Sequence, residues 1–438
     1  MKKSLIALAA LSVISGTSMA QSSVSISGFG NLSYDLFSVA KGKAAAARTG
    51  NTSEDRVADN SSRIIFNSIE DLGGGMRAFV QVDMRPSMDA GSRLNALSAT
   101  PATPAVAAQT AGGTTVAQTA AAAVAAGVSN PAVNPLNGGN SHVGLSSSMG
   151  AIRLGRQDIH YTEGGNFAPA SQPTIHGHNG FLVAANGVAV GRATRTANLI
   201  WYTSPTFNDI TATVGYSTSG YSGSGTVDVE NDMASAQRKG STKYARLGYA
   251  KGPVTAAYSW IDEKADYIGT AATAAGSGLT GAAATFAAAN AQADRGGNIL
   301  SLKYDLGVAK LGVAVSNTES TAMAAGVAGA KSTRRNTQFG IGIPMGASNF
   351  AVTRTTVGKL TTSGAVVADS GATALGLVYS YDLSKRTQVF AGMTTITNQA
   401  AANQSLFYNA DNAVGSAGST AIAGEKHSVT SFGLRHSF

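Results

Sequence analysis

The chain lacks cysteine altogether and carries few charges, and each shortage excludes a class of protein. With no Cys among its 438 residues, it has no disulfide scaffold, no thiolate metal site and no cysteine nucleophile. Charged residues make up 13% of the chain, whereas soluble domains have about 25%. The mean hydropathy of +0.04 and the lack of long Leu/Ile/Val-rich runs after the N-terminus exclude a polytopic helical membrane protein.

Residues 1–20 have the three parts of a secretory signal peptide. Lys2 and Lys3 supply positive charge, an apolar core follows, and a small-x-small cleavage site ends at Ala20. The apolar core is too short to cross a bilayer as a helix. We therefore expect Gln21 to open a mature chain of 438 − 20 = 418 residues with a net charge of +8 − 2 = +6.

Apolar and polar residues alternate in many short segments of the mature chain. Such a period of two indicates a β-strand with one apolar and one polar face. The clearest examples are 24–36, 77–85, 210–217, 299–304, 375–381 and 430–438. Nearly all charges in these segments oppose the apolar set, as a strand facing lipid requires. In 349–357, however, Arg354 shares the parity of Phe350 and Val352, so either it lies near a rim or the facing is reversed.

The connections between these segments alternate between short turns and long loops. The short turns are predicted at 71–75, 148–151, 205–209, 250–253, 305–309, 344–347 and 382–386. The long loops are predicted at 38–60, 86–139, 156–193, 218–240, 264–297, 317–334, 358–371 and 398–424. Seven hairpins give fourteen strands, and one further strand at each terminus makes sixteen. Short turns on one rim and long loops on the other are typical of outer-membrane barrels.

We therefore predict an all-β fold, a 16-stranded antiparallel transmembrane β-barrel that forms one domain over residues 21–438. Hydrocarbon offers no hydrogen-bond partners, so a sheet within it must close and leave no edge. At sixteen strands the interior is too wide for side chains to fill, and it holds water.

Four segments carry a resemblance to a known family: 62–76 (SRIIFNSIEDLGGGM), 142–157 (HVGLSSSMGAIRLGRQ), 381–387 (YDLSKRT) and 433–438 (GLRHSF). The chain resembles the general diffusion porins of β-proteobacteria, the neisserial and burkholderial type. The resemblance implies a homotrimer in the outer membrane, in contact with lipid and lipopolysaccharide. It also implies an inward-folded third long loop, and a C-terminal Phe438 read by the barrel-assembly machinery.

Two Ala/Thr/Gly tracts, 96–136 and 270–293, depart from the family pattern. The second long loop of the family helps to clasp neighbouring protomers, so the first tract puts that contact in doubt. Val116–Val128 is rich in alanine, the best helix former. A flexible surface loop is nevertheless the favoured interpretation, because short isolated helices are marginal in water.

Charged side chains on the polar face would set the selectivity of the pore. We predict a basic wall from strand parity and from the family resemblance: Arg63, Arg77, Arg85 and Arg153. The third loop has only Asp158 and Glu163, which we predict to form the acidic side of the constriction. Four arginines against two carboxylates, with a mature charge of +6, predict a mild preference for anions.

His176-Gly177-His178 places two imidazoles on one face if the segment is extended. Two ligands make an incomplete metal site, so exposed loop histidines are expected, and neither a metal nor a cofactor is predicted. Together with His160, these side chains would make conductance pH-sensitive near the imidazole pKa of about 6.5.

Catalysis and nucleic-acid binding lack support in the sequence. None of the six His lies near a Gly-x-Ser-x-Gly or similar motif, and the basic surplus is not clustered. The leading prediction is a water-filled channel for small hydrophilic solutes and ions. A substrate-selective channel lined by aromatic residues and a surface adhesion barrel with Ala-rich loops remain the alternatives.

Overall fold

The computed structural model describes the strands, the short turns and parts of the long loops. The described residues are 23–44, 52–86, 88–89, 139–163, 176–177, 180–185, 188–189, 196–218, 240–264, 293–324, 327–406 and 422–438. The predicted signal peptide, the Ala-rich tract 96–136 with Val116–Val128, and all but the last residue of 270–293 lie outside them.

Strands dominate the described part of the chain. They are β1 Ser23–Ala40, β2 Ser53–Asp59, β3 Arg63–Gly73, β4 Met76–Met84, β5 Ser141–Ser147, β6 Gly150–Gln157, β7 Ala184–Ala185, β8 Val188–Ala189, β9 Thr196–Thr203, β10 Ile210–Ser217, β11 Ser241–Lys251, β12 Val254–Lys264, β13 Ala293–Asp305, β14 Lys310–Ala324, β15 Val327–Met345, β16 Ser348–Val357, β17 Thr361–Thr362, β18 Ala365–Val366, β19 Ala372–Asp382, β20 Thr387–Asn398 and β21 Lys426–Ser437. Among the described residues, one 3-10 turn, His160–Glu163, and one α-helix, α1 Gly180–Val183, complete the elements.

The main sheet closes into a ring of sixteen antiparallel positions. β2 and β3 share one position, since β1 pairs with β3 along its first half and with β2 along its second. The hairpins β7–β8 and β17–β18 lie within loops. The ring closes where β1 pairs with β21, from Phe29↔Ser437 to Ala40↔Lys426. The predicted fold class and strand count are confirmed.

All seven predicted short turns join the expected neighbours, and they define one rim, the short-turn end. The loop predicted at 317–334 is wrong. β14 and β15 continue through it as a long hairpin, paired from Lys310↔Gly342 to Ala324↔Val327. Its upper part is rich in Ser and Thr, so no alternating apolar face marks it as a strand. Backbone pairing and the Lys331–Glu319 ion pair at 2.7 Å stabilise it instead.

The outer face of the barrel is apolar and exposed, and aromatic side chains border it at both ends. Tyr202, Tyr304 and Tyr381 lie near the short-turn end, while Tyr216 and Trp260 lie near the opposite, loop end. Such aromatic girdles mark the two interfaces of a membrane, with the short turns in the periplasm. No described helix is long and apolar enough to cross a bilayer.

Arg354 lies on this outer face. It pairs with Phe339 on β15 and Leu375 on β19, two exposed apolar residues. The facing of β16 is therefore not reversed. Arg354 is three residues before Val357, where β16 ends on the side of the long loops. A lipid-facing Arg costs about 2–4 kcal/mol at the midplane but only about 0–1 kcal/mol near an interface, so the rim position explains why it is tolerated.

Neighbouring residues on β10 test the assignment of the two faces. Val214 is 55% exposed on the outer face, and Thr213 points into the barrel towards Thr203. We expect Val214→Arg to lower the free energy of unfolding from vesicles by about 2–4 kcal/mol, because it places a charge in hydrocarbon. Thr213→Arg is the matched control, since the same charge then meets water. Equal losses for the two variants, measured by urea titration of tryptophan fluorescence, would contradict the assignment.

Candidate pore constriction

The third long loop enters the barrel and is anchored on two distant parts of its wall. At its start, His160 Nδ1 lies 2.6 Å from Ser259 Oγ on β12. Further along, His176 Nδ1 lies 2.8 Å from Thr394 Oγ1 on β20. β12 and β20 hold the ninth and fifteenth of the sixteen positions. The described residues of the loop therefore contact the inner wall at two places that are six strands apart, and they occupy part of the lumen.

Apolar packing fixes the middle of the loop. All three large side chains of α1 are buried: Leu182 and Val183 join a cluster with Leu199, Ile261 and other wall residues. Phe181 belongs to a second cluster, which includes Ile396 of β20. Burial of each such side chain contributes about 1.5–3 kcal/mol. The inward position of the loop thus rests on hydrophobic contact as well as on hydrogen bonds.

The loop histidines are buried rather than exposed, which corrects the expectation from sequence. Burial lowers the pKa of His160 to about 3 and that of His176 to about 4, because a charged imidazole would lose its hydration. Next to His176, Gln338 Nε2 donates to the Gly177 carbonyl at 2.8 Å. His178 lies outside the described residues. Among the residues that are described, no group of three or more His, Asp or Glu could hold a metal ion.

The opposite part of the wall carries a buried carboxylate that holds two of the predicted arginines. Asp83 is 1% exposed, and its Oδ2 lies 3.1 Å from Arg85 Nη2 and 3.8 Å from Arg63 Nη1. The same oxygen accepts a hydrogen bond from Asn140 N at 3.2 Å. The positive charges of Arg63 and Arg85 are therefore partly neutralised by Asp83. Asp83 points inward on β4, a position that strand parity predicts but that sequence reasoning did not assign to the site.

Asp158 does not lie across the lumen from the basic wall. Its Oδ2 is 3.8 Å from Arg85 Nη2, and its backbone N–H donates to Asn140 Oδ1 at 2.8 Å. The carboxylate follows β6 by one residue, so it remains on the wall that β6 helps to form. Its predicted place on an opposing acidic side is corrected, because parity cannot tell where a loop leaves the wall. Glu163 ends the 3-10 turn, and its side chain lies outside the described part.

The other predicted arginines face the lumen nearer the periplasm. Arg77 is exposed and is the second residue of β4, directly after a short turn. Arg153 lies over the Phe79 ring at 5.0 Å and reaches Thr203 Oγ1 at 3.5 Å. A third inward cation, Arg435, lies 4.3 Å from the Phe29 ring. Within the described ranges, none of these three arginines forms an ion pair.

Aromatic rings stiffen this wall, which sequence reasoning missed. The Phe79 ring lies over Gly144, where a Cβ would come within 2.5 Å of its Cζ. His142 contacts Phe79 at 5.9 Å and Trp201 at 5.2 Å between ring centroids. Stacking on a ring restricts a guanidinium to one position and leaves its edge N–H groups for a solute. The same parity that identifies the arginines could have identified these rings.

Comparisons with known proteins agree with this geometry. A family model described as "Gram-negative porin" matches residues 7–401. Over 444 aligned residues the chain is 26% identical to outer membrane porin protein 32 of Delftia acidovorans, with all of both chains covered. Its fold is similar to the anion-selective porin of Comamonas acidovorans (TM-score 0.61, 20% identity, 95% and 100% of the chains covered). It is also similar to OmpT of Vibrio cholerae (TM-score 0.57, 11% identity, 95% and 98% covered).

The buried histidines predict that acid loosens the third loop. Their pKa values are lowered to about 3 and about 4, so the docked loop binds fewer protons than a released one. The free energy that stabilises the docked loop has its full value above about pH 6.5. It decreases as the pH drops towards 4, by up to about 1.4 kcal/mol per pH unit for each imidazole. We expect open-channel current noise in planar bilayers to rise over this range.

His176→Gln should flatten the dependence of the noise on pH, because an amide can still bond Thr394 but does not titrate. His436→Gln is the control, since His436 is exposed near the end of β21. Noise that is independent of pH in the wild type, or equally pH-dependent in His176→Gln, would contradict the prediction.

Proposed function

Since this chain belongs to the Gram-negative porin family, it is an outer-membrane channel protein, and we propose that its pore passes small hydrophilic solutes with a mild preference for anions. The observation that carries the proposal is that three arginines of the lumen wall form no ion pair among the described residues. Asp83 and Asp158 are engaged by Arg63 and Arg85. Arg77, Arg153 and Arg435 have no such partner among the described residues, and their field is therefore open to solutes.

The position of these cations gives the proposal its mechanism. Water fills the lumen of a sixteen-stranded barrel, and a charged, low-dielectric wall concentrates counter-ions near it. The stacked guanidiniums of Arg153 and Arg435 are held in place, so an anion meets preorganised N–H donors. The third loop narrows the same space, and Glu163 would add a weak acidic contribution there. A relative in the comparisons is itself described as anion-selective, in agreement with this proposal.

Neither alternative function is favoured by the comparisons. A substrate-selective channel would need a continuous aromatic track, whereas the described lumen aromatics are mostly covered by arginines or by packing. An adhesion barrel would need no open, charged lumen. The family and the fold are those of a channel rather than an enzyme, and we propose no catalytic role.

We propose the remaining steps of assembly from the family resemblance and the sequence. The signal peptide 1–20 directs export by the Sec pathway and is cleaved after Ala20. The C-terminal Phe438 follows an alternating strand and is read by the barrel-assembly machinery. The folded chain associates as a homotrimer and contacts lipopolysaccharide at its outer face. Aromatic side chains at both ends of that face support its contact with the two membrane interfaces.

Removal of the uncompensated arginines tests the proposed selectivity. We expect Arg153→Gln and Arg435→Gln each to lower the anion-to-cation permeability ratio by about a factor of two, because lumen potentials amount to several kT. Reversal potentials in a salt gradient measure the ratio. Arg354→Gln is the control, since that cation lies on the outer face. The proposal would be contradicted by a wild-type channel that prefers cations, or by a permeability ratio that falls in Arg354→Gln but not in the two lumen variants.

A further inference from the structure

A groove with a cavity of about 330 Å³ lies on the outer surface of the barrel, across β12 to β15 and β17. Its floor is at Gly296, where a Cβ would come within 3.2 Å of the Ile261 carbonyl oxygen. Its principal side chains are Trp260, Asn298, Asn317, Glu319, Arg335 and Lys359. The groove is therefore polar and charged, although it lies on the face that otherwise meets lipid.

The groove lies at the height of the outer membrane interface. A barrel strand needs about nine to eleven residues to cross a bilayer. Trp260 is six residues beyond Val254, where β12 begins at the short-turn end, and Asp262 is eight residues beyond it. Glu319 is nine residues beyond Lys310, where β14 begins, so the groove extends upward to the outer interface. Below them on the same face lie the exposed apolar residues Leu300 and Val313. A lipid could thus place its chains below and its headgroup in the groove.

The charges of the groove favour an anion. Its carboxylates are already paired: Glu319 with Lys331 at 2.7 Å, and Asp262 with Lys264 at 3.3 Å. Arg335 and Lys359 line the groove and are exposed.

These two cations form no ion pair within the part of the chain that the structure describes. Arg354 is a third such cation on the same face. It is opposite Phe339, which lies four residues from Arg335 along β15.

We propose that this groove binds the phosphorylated sugar headgroup of a glycolipid of the outer leaflet. Arg335 and Lys359 hold the phosphate, and Arg354 lies on the same outer face, near the loop end of β16. The exposed indole of Trp260 provides a flat apolar surface for a sugar ring. The side chains of Asn298 and Asn317, joined by a 3.0 Å hydrogen bond, offer further donors and acceptors. The inference rests on the proposed contact with lipopolysaccharide and assigns it a site.

A second copy of the chain is a poorer occupant. The family places protomer contacts at the second long loop, between β4 and β5, the third and fourth positions of the ring. The groove spans the ninth to twelfth positions, on the far side of the barrel. Three uncompensated cations would also repel an identical surface. A phosphate-bearing lipid satisfies the charges and the location together.

Native mass spectrometry of the refolded mature chain in detergent tests the site, with bisphosphorylated lipid A as the probe. We expect Arg335→Gln/Lys359→Gln to lower lipid A occupancy at least about tenfold, since each basic residue near an anionic lipid surface contributes about a fivefold factor. Trp260→Leu should lower it less, because the charges remain. Lys385→Gln/Arg386→Gln, two exposed cations in the opposite, short-turn rim, is the matched control.

Single-channel conductance equal to wild type establishes that each variant has folded, because none of these side chains faces the lumen. Dephosphorylated lipid A should bind weakly to the wild type, and free glucosamine 1-phosphate should not displace the lipid at equal concentration. Equal occupancy in the groove variant and the control would overturn the site while leaving a general lipid contact intact. Failure of the wild type to bind lipid A would overturn both the groove site and the proposed contact with lipopolysaccharide. Reduced occupancy together with loss of the trimer would assign the surface to protomer contact instead.

Discussion

The structure depends on the absence of hydrogen-bond partners in hydrocarbon. Every backbone N–H and C=O that crosses the membrane must be paired within the protein, so the sheet has to close. It closes where the first strand meets the last, from Phe29↔Ser437 to Ala40↔Lys426. The same constraint explains why each strand is half apolar and why polar residues face inward. It also explains why the outward Arg354 lies near the loop end.

Closure at sixteen strands leaves an interior that side chains alone cannot fill, and the third loop occupies part of it. The loop is held by α1 packing and by two buried, neutral histidines at distant points of the wall. Opposite it, an arginine-rich wall is only partly compensated by Asp83 and Asp158. One side of the pore therefore carries the packed loop residues, and the other carries cations whose guanidiniums lie against phenylalanine rings.

The sequence predicts the features that follow from periodicity and fails where tertiary packing decides. Alternation and turn spacing give the sixteen strands and the inward direction of Arg77, Arg85 and Arg153, and the family resemblance adds Arg63. They miss the upper hairpin of β14 and β15, which has no apolar face, and they misplace Asp158, which remains beside Arg85. The burial of His160 and His176 could not be predicted either, because it depends on contacts between residues far apart in the chain.

The central claim is that the chain encloses a wet passage narrowed by an inward loop. Swelling of proteoliposomes in a series of neutral sugars of increasing size tests it most directly. The account predicts fast swelling with the smallest sugars and a steep decline with size, together with a higher cut-off when the loop anchors His176 and Gln338 are removed. No swelling with any sugar, or a size cut-off unchanged by loss of the anchors, would contradict it.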